Sequence, residues 1–201
     1  YFSTFKTDIS DGVMLTGSHN PKNYNGLKIV INKRSMTSEK IKKIKSMIEE
    51  EVFTDGSGKL TSLDIKDDYL KVLQEKIKIN SNMKVCLDCG NGVGGMIAPQ
   101  AFQLLGLEVT ELYSEVDGNF PNHHPDPSNP KNLEDLKKKV LETNSDLGIA
   151  LDGDGDRVGL IDNKGNIIFP DAYMMLLAED LLKKNSEGSL VFDVKCSTNL
   201  E

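Results

Sequence analysis

No stretch of this 201-residue chain approaches ~18 consecutive apolar residues, so no segment reads as a transmembrane helix. Its opening lacks the basic, apolar and small-residue succession of a secretory signal. Cysteine is scarce: Cys86, Cys89 and Cys196 are an odd, low count that argues against a disulfide framework and for a reducing compartment. Arginine is scarcer, with only Arg34 and Arg157. Positive charge is in deficit, 24 Lys plus Arg against 31 Asp plus Glu, for a net charge of −7. A surface of that sign does not attract phosphate backbones or anionic lipid as a whole, so neither nucleic acid nor membrane is expected as a partner. What is present, 38% apolar and 27% charged residues, suits a folded core rather than a disordered chain. The length allows one domain or two small ones. The chain opens at Tyr1 and ends soon after the apolar run Leu190-Val191-Phe192, and both ends read as cuts within a longer protein.

Short β-branched or apolar runs predict strands at Val13–Leu15, Leu27–Ile31, Val85–Leu87, Val109–Leu112, Gly148–Leu151, Val158–Ile161 and Leu190–Phe192. Between them lie helical spacings. Ile41, Ile44, Ile48 and Val52 follow an N-cap at Thr37 or Ser38, and Tyr69, Leu70, Leu73 and Ile77 share a second face. Helices are also predicted over Met96–Leu105, Leu133–Leu141 and Asp171–Lys183. A glycine-rich connector, Thr54–Gly58, places a domain boundary within Gly58–Asp64. The loop from Asp117 to Pro130 carries Pro121, Pro125, Pro127 and Pro130 and is therefore extended. Strand–helix alternation predicts an α/β fold with mixed, mostly parallel sheets flanked by helices.

Chemistry concentrates in Asp152-Gly153-Asp154-Gly155-Asp156-Arg157, after a predicted buried strand. Alternate carboxylates in an extended loop can turn toward one point, with glycines letting the backbone curl. Converging hard oxygens favour Mg²⁺, Mn²⁺ or Ca²⁺. An EF-hand would require Gly and Glu where Arg157 and Asn163 stand, and helices where strands are predicted. Arg157 beside such a metal suits an anionic ligand that needs a forked donor. A second loop, Thr16-Gly17-Ser18-His19-Asn20-Pro21, holds a candidate nucleophile, although sequence neighbours such as Ser18 and His19 rarely face each other and a plain turn is the simpler reading. Gly90-Asn91-Gly92-Val93-Gly94-Gly95 matches the dinucleotide fingerprint G-x-G-x-x-G, with Glu115 downstream, and reads alternatively as a packed strand-to-helix turn. His123 and His124 have the wrong spacing for a helix-borne metal pair and read as packing or surface groups. Cys86-Leu87-Asp88-Cys89 spells C-x-x-C, but on a strand positions three apart point to opposite faces, which predicts buried thiols.

Thr16–Pro21, Tyr24-Asn25-Gly26-Leu27-Lys28 and Asp152–Arg157, in that order, resemble the α-D-phosphohexomutase family, nearest to its bacterial phosphomannomutase/phosphoglucomutase branch. Asp117–Pro127, Asp193-Val194-Lys195-Cys196 and the Gly90–Gly95 turn are similar to the same branch, the last in a structural role. The resemblance implies two of the family's four domains, the first truncated. Residues 1–62 would be the end of domain 1, 63–168 domain 2, and 169–201 the start of domain 3. It implies an isomerase, an intramolecular phosphotransferase interconverting mannose or glucose 1- and 6-phosphates through a 1,6-bisphosphate that also serves as activator. Ser18 would carry the phosphoryl group, and one Mg²⁺ per chain would sit on Ser18, Asp152, Asp154 and Asp156. His19 and Lys28 would bind substrate and assist proton transfer, and Arg157 would hold the phosphoserine region. The implied partners are small sugar phosphates, with no obligate protein partner, in the cytoplasm. Glycine rather than alanine before Ser18 favours this branch over a phosphoglucosamine mutase, which stays open alongside the dinucleotide reading. The chain alone is expected to bind Mg²⁺ weakly and to catalyse nothing.

Overall fold

A computed structural model describes residues 1–79, 82–185 and 188–200. It divides into two compact units, Tyr1–Lys78 and Ile79–Glu201.

The first unit opens with a short helix, α1 (Phe2–Lys6), followed by an antiparallel sheet in the order β1 (Gly12–Leu15), β2 (Leu27–Ile31), β3 (Arg34–Ser35). Leu15 pairs with Leu27 and Gly12 with Val30, so the loop between them is closed as a long hairpin. Asn32 and Lys33 both adopt left-handed φ, +50° and +62°, between Ile31 and its partner Arg34. That is the twist a two-residue hairpin turn requires, and it supplies a strand, β3, too short to be recognised from periodicity. α2 (Ser38–Glu49) starts at the predicted cap Thr37 but stops before Val52, where Glu51 turns left-handed at φ +54°. α3 (Lys66–Lys76) buries Leu70, and the Tyr69 ring meets Phe2 edge-on at 5.1 Å.

The second unit is built on a five-stranded sheet. β4 (Lys84–Asp88) is flanked by β5 (Glu108–Leu112) and β6 (Leu147–Leu151), both parallel to it, and β6 continues antiparallel into β7 (Val158–Asp162) and β8 (Ile167–Ile168). Parallel pairing is thus confined to the strands joined by helical crossovers, α4 (Ala98–Leu104) and α5 (Glu134–Thr143), while the aspartate loop is a hairpin connection. Between Lys84 and Asp88, β4 is apolar on both faces, as a strand covered on both sides must be. One face packs Cys86, Ala150 and Ile161 under Leu133, Leu136 and Val140. The other packs Val85, Leu87, Cys89, Leu107 and Ile149. Cys86 and Cys89 therefore lie in opposite cores as free, buried thiols. Burial, with the Asp88 charge adding to it, pushes Cys86 up to about 12. Burial likewise raises Cys89 to about 11, so neither is a thiolate at neutral pH.

Three expectations shift. α4 begins at Ala98, not Met96, because a 3₁₀ turn over Val93–Met96 takes up the glycine-rich stretch and Pro99 suits a first helical turn. α5 is preceded by a 3₁₀ turn over Pro130–Leu133 and runs on to Thr143, where Asn144 caps it in the left-handed region. Leu190–Phe192 forms no strand among the described residues: a β run is realised only where a neighbour completes its hydrogen bonds. α6 (Pro170–Lys184) covers the predicted helix with Pro170 at its first turn.

Leu136 is fully buried on α5 against Cys86, Ala150 and Ile161, whereas Leu141 on the same helix is exposed. Leu136→Ala is expected to lower unfolding free energy by about 2–5 kcal/mol. Leu141→Ala should stay within about 0.5 kcal/mol of wild type. Urea denaturation followed by circular dichroism compares the two; equal losses would show that this face of α5 does not carry the core.

Candidate functional site

Asp152 follows the last residue of β6 and is fully buried. Its Oδ1 accepts from the backbone N–H groups of Asp156 (3.0 Å) and Arg157 (3.1 Å). Gly155, at φ +73°, donates its N–H to the Asp152 carbonyl at 3.0 Å. Only a glycine takes that conformation without strain. The loop so curled brings one carboxylate oxygen from each of Asp152, Asp154 and Asp156 to within 4.8 Å of one another. Burial falls along the series: Asp152 is buried, Asp154 half-buried and Asp156 exposed, so the cluster opens toward solvent from a fixed base. At about 4 Å and an effective dielectric near 20, each like-charge pair costs roughly 4 kcal/mol. The donor set, hard anionic oxygens from one short loop, fits a divalent cation of the Mg²⁺ or Mn²⁺ kind that relieves this repulsion.

The glycine turn from Gly90 to Gly95 supports that loop. The Val93 N–H donates to the Gly153 carbonyl at 3.0 Å. A Cβ on Gly92 would lie 2.7 Å from the Gly153 oxygen, and one on Gly95 would lie 2.0 Å from the Ser114 oxygen. The glycines therefore admit neighbouring backbone, and the turn packs on the aspartate loop and Ser114.

In the first unit, the hairpin loop closes with the Thr16 N–H on the Gly26 carbonyl at 2.9 Å. Ser18 donates its N–H to Thr16 Oγ1 at 2.9 Å. It sits at φ +50°, a conformation costing a non-glycine residue about 1–2 kcal/mol. A Cβ on Gly17 would lie 2.8 Å from the Tyr24 carbonyl oxygen, which excludes a larger residue there. His19 Nδ1 stands 3.4 Å from Ser18 Oγ, so the two side chains do meet. Sequence spacing predicted otherwise, and the left-handed serine is the reason. Lys28 lies on β2 opposite Met14, half-buried, lining a small cavity of about 120 Å³ with Tyr1, Thr4 and Val30.

Arg157 and Asp156 stand at one wall of a cavity of about 410 Å³ in the second unit, whose other walls include Pro127, Ile168, Phe169 and Tyr173. Arg157 is itself exposed, in keeping with a donor offered to an anion.

His123 turns inward. Its Nε2 lies 2.9 Å from Oδ2 of the fully buried Asp88, its Nδ1 lies 3.0 Å from the His124 carbonyl, and its ring meets Tyr113 edge-on at 5.4 Å. Burial opposes its charge, but the hydrogen bond and charge of Asp88 and the His124 carbonyl outweigh burial, so its pKa is raised. Burial, then the bond to Asp135 at 2.9 Å, pushes Tyr113 up to about 12. The expected packing role for His123 holds in outline, but sequence reasoning missed the partner. Its signal was a charged residue, Asp88, ending a strand read as buried, since a buried carboxylate needs a counter-charge.

An α/β unit with a carboxylate cluster at the carboxyl end of a sheet strand carries its candidate site where open α/β folds bind their ligands. The family model for phosphoglucomutase/phosphomannomutase, alpha/beta/alpha domain I, matches residues 1–55, and that for alpha/beta/alpha domain II matches residues 67–165, together more than half of the chain. The chain belongs to the phosphoglucomutase/phosphomannomutase family. It is 51% identical over 189 residues to a phosphomannomutase/phosphoglucomutase of Pseudomonas syringae pv. tomato, covering 94% of this chain and 41% of that protein. It is 48% identical over 200 residues to a phosphomannomutase/phosphoglucomutase of Pseudomonas aeruginosa, covering 100% and 43%. A crystal structure of a phosphoglucomutase/phosphomannomutase family protein from Burkholderia thailandensis superposes with a TM-score of 0.90 at 42% identity, covering 94% of this chain and 42% of that one. The chain thus spans less than half the length of these relatives. Among the described residues no helix is long and apolar enough to cross a membrane.

The Asp88–His123 pair makes stability pH-dependent in a defined direction. The imidazolium gains Asp88 only in the fold, so the contribution is complete below the unfolded histidine pKa of about 6.5 and is lost as pH rises through the higher folded value. Urea denaturation of wild type and His123→Gln should show a stability gap near pH 6 that narrows on the alkaline side. A gap independent of pH would mean that the pair is not ionic.

Proposed function

We propose that this chain is part of a Mg²⁺-dependent phosphohexomutase that interconverts hexose 1-phosphates and 6-phosphates, those of mannose and glucose, in the cytoplasm. The observation that carries the reading is the convergence of Asp152, Asp154 and Asp156 to within 4.8 Å, in a chain whose family and whose Ser18–His19 loop both suit phosphoryl transfer. Mannose and glucose are preferred over glucosamine on the naming of the relatives and on Gly17 before Ser18.

Ser18 carries the phosphoryl group. The free hydroxyl oxygen of a bound hexose phosphate bonds to phosphorus as the bond from phosphorus to Ser18 Oγ breaks. The hydroxyl proton passes to a base, and Ser18 Oγ ends protonated. The resulting 1,6-bisphosphate reorients and returns its other phosphoryl group to Ser18, which is why the bisphosphate also primes unphosphorylated enzyme. His19 and Lys28 divide proton transfer and charge stabilisation between them, and Arg157 holds phosphoryl oxygens through its fork of donors. Asp152, Asp154 and Asp156, with the Ser18 oxygen, would hold Mg²⁺, whose bound charge offsets that of the phosphoryl oxygens. Sugar phosphates are the partners, with no obligate protein partner. The 201 residues alone, with under half the relatives' length, are expected to lack turnover, because remote contacts are what position a reacting hydroxyl.

A coupled assay of the full-length protein with mannose, glucose and glucosamine phosphates, primed by hexose 1,6-bisphosphate, tests the reading. Turnover of the first two is expected, with a loss of at least about 10³-fold in Ser18→Ala. Mass spectrometry should find phosphate on the peptide containing Ser18. Preference for glucosamine phosphate would move the protein to another branch. Absent turnover with saturable binding of a reduced nicotinamide would restore the dinucleotide reading.

A further inference from the structure

The turn that supports the aspartate loop is itself held by two successive residues of the proline-rich loop. Asn122 Nδ2 donates to Asn91 Oδ1 at 2.8 Å. His123 Nε2 pairs with Asp88 Oδ2, and the other oxygen of that carboxylate accepts the Gly90 N–H at 2.8 Å. Gly90 and Asn91 both take left-handed φ, +51° and +58°, a conformation open to glycine and asparagine that the surrounding bonds select. A Cβ on Gly90 would lie 3.1 Å from Pro125 and 3.4 Å from His123, so this loop and the turn are in close contact. Asn91 is fixed further by its N–H on the Tyr113 carbonyl and its Nδ2 on the Glu115 carbonyl, both at 2.8 Å. The next residue but one, Val93, is the donor to Gly153, which sits between two of the clustered aspartates.

We propose that Asp88 and His123 are a positioning pair for the aspartate loop: with Asn122 they lock the Gly90–Gly95 turn, and the locked turn holds the Gly153 carbonyl through Val93. In this role the pair acts through the turn rather than on substrate or metal. It rests on the proposed reading of Asp152, Asp154 and Asp156 as metal ligands. Burial opposes the charge on His123, but the groups around it raise its pKa: Asp88 at the end of β4, the His124 carbonyl, and Asp135 from α5, with the Tyr113 ring against its edge. Loss of that proton as pH rises would leave Asp88 buried without a counter-charge and release the turn. The aspartate loop would then relax away from the compact geometry that its own charges oppose.

The test uses the full-length protein and Mg²⁺ or Mn²⁺ alone as the probe, with titration calorimetry for affinity and amide hydrogen exchange at Val93 in metal-free protein. His123→Gln, checked for folding by thermal melt, should exchange Val93 faster and bind metal about tenfold more weakly, the lower end of what supporting contacts contribute. The wild-type affinity should decline on the alkaline side toward that of the variant, whose affinity stays level. Gly92→Ala, which crowds the Gly153 oxygen directly, should weaken metal binding without altering the pH profile contributed by His123. Folded His123→Gln with wild-type Val93 exchange and wild-type affinity would overturn the proposal. If that variant does not fold, wild-type affinity that stays flat through the His123 titration, followed by NMR, overturns it instead. Asp154→Asn separates the two levels. Unchanged affinity there would reject the metal reading of the loop, and Val93 exchange in His123→Gln would still decide whether the pair locks the turn.

Discussion

Three carboxylates cannot share a neighbourhood of 4.8 Å unless the backbone holds them there, and the second unit is arranged around that requirement. The restraint begins inside the loop, where Asp152 uses one carboxylate oxygen to accept the N–H groups of Asp156 and Arg157. It continues in the hairpin from β6 to β7, whose register from Leu151–Val158 to Leu147–Asp162 fixes where the loop leaves and re-enters the sheet. It is completed by the glycine turn, which meets the loop backbone to backbone at Gly153. A side chain at Gly92 would break that contact, so the position is set by proximity rather than by a ligand.

The fold was legible where burial and period agree. β4 reads as a strand because Val85, Cys86 and Leu87 are apolar without alternation, as a strand covered on both faces demands, and α5 reads as a helix because Leu136 and Val140 recur at a spacing of four. Elements of two residues were not legible. β3 exists because Asn32 and Lys33 turn left-handed together, and β8 because β7 offers it an edge at Leu160 and Ile161. Both are consequences of pairing, which periodicity does not report. Leu190–Phe192 is the converse case: its composition favours a strand, but among the described residues nothing pairs with it.

The aspartate cluster was legible for a physical reason: alternate carboxylates with intervening glycines carry their own geometry within a few residues. The support behind it was not, because each of its bonds spans a long stretch of chain. Asp88 and His123 are 35 positions apart and Asn91 and Asn122 are 31 apart. Sequence reasoning could state that a carboxylate ending a buried strand needs a counter-charge, and that two histidines in a proline-rich loop pack somewhere. It could not join the two statements, since nothing local selects His123 over His124. The serine loop lies between these cases. Its hairpin closure by Thr16 and Gly26 follows from the flanking strands, but the meeting of Ser18 with His19 depends on a left-handed serine that no pattern announces.

The glycine motif shows why a match of letters underdetermines chemistry. G-x-G-x-x-G lets a strand turn tightly into a helix and leaves backbone N–H groups exposed on the inner side of the turn. In a dinucleotide site those groups face a pyrophosphate. Here the inner side faces the Gly153 carbonyl, and the Val93 N–H that could have met a phosphate is bonded to it. What decides between the two uses lies 60 residues downstream of the donor, in whether a loop occupies the space a ligand would need. The same physical property, backbone approach without a Cβ, thus supports an anion site directly in one setting. In the other it supports a carboxylate cluster at one remove, by holding a neighbouring loop's carbonyl while that loop's carboxylates converge.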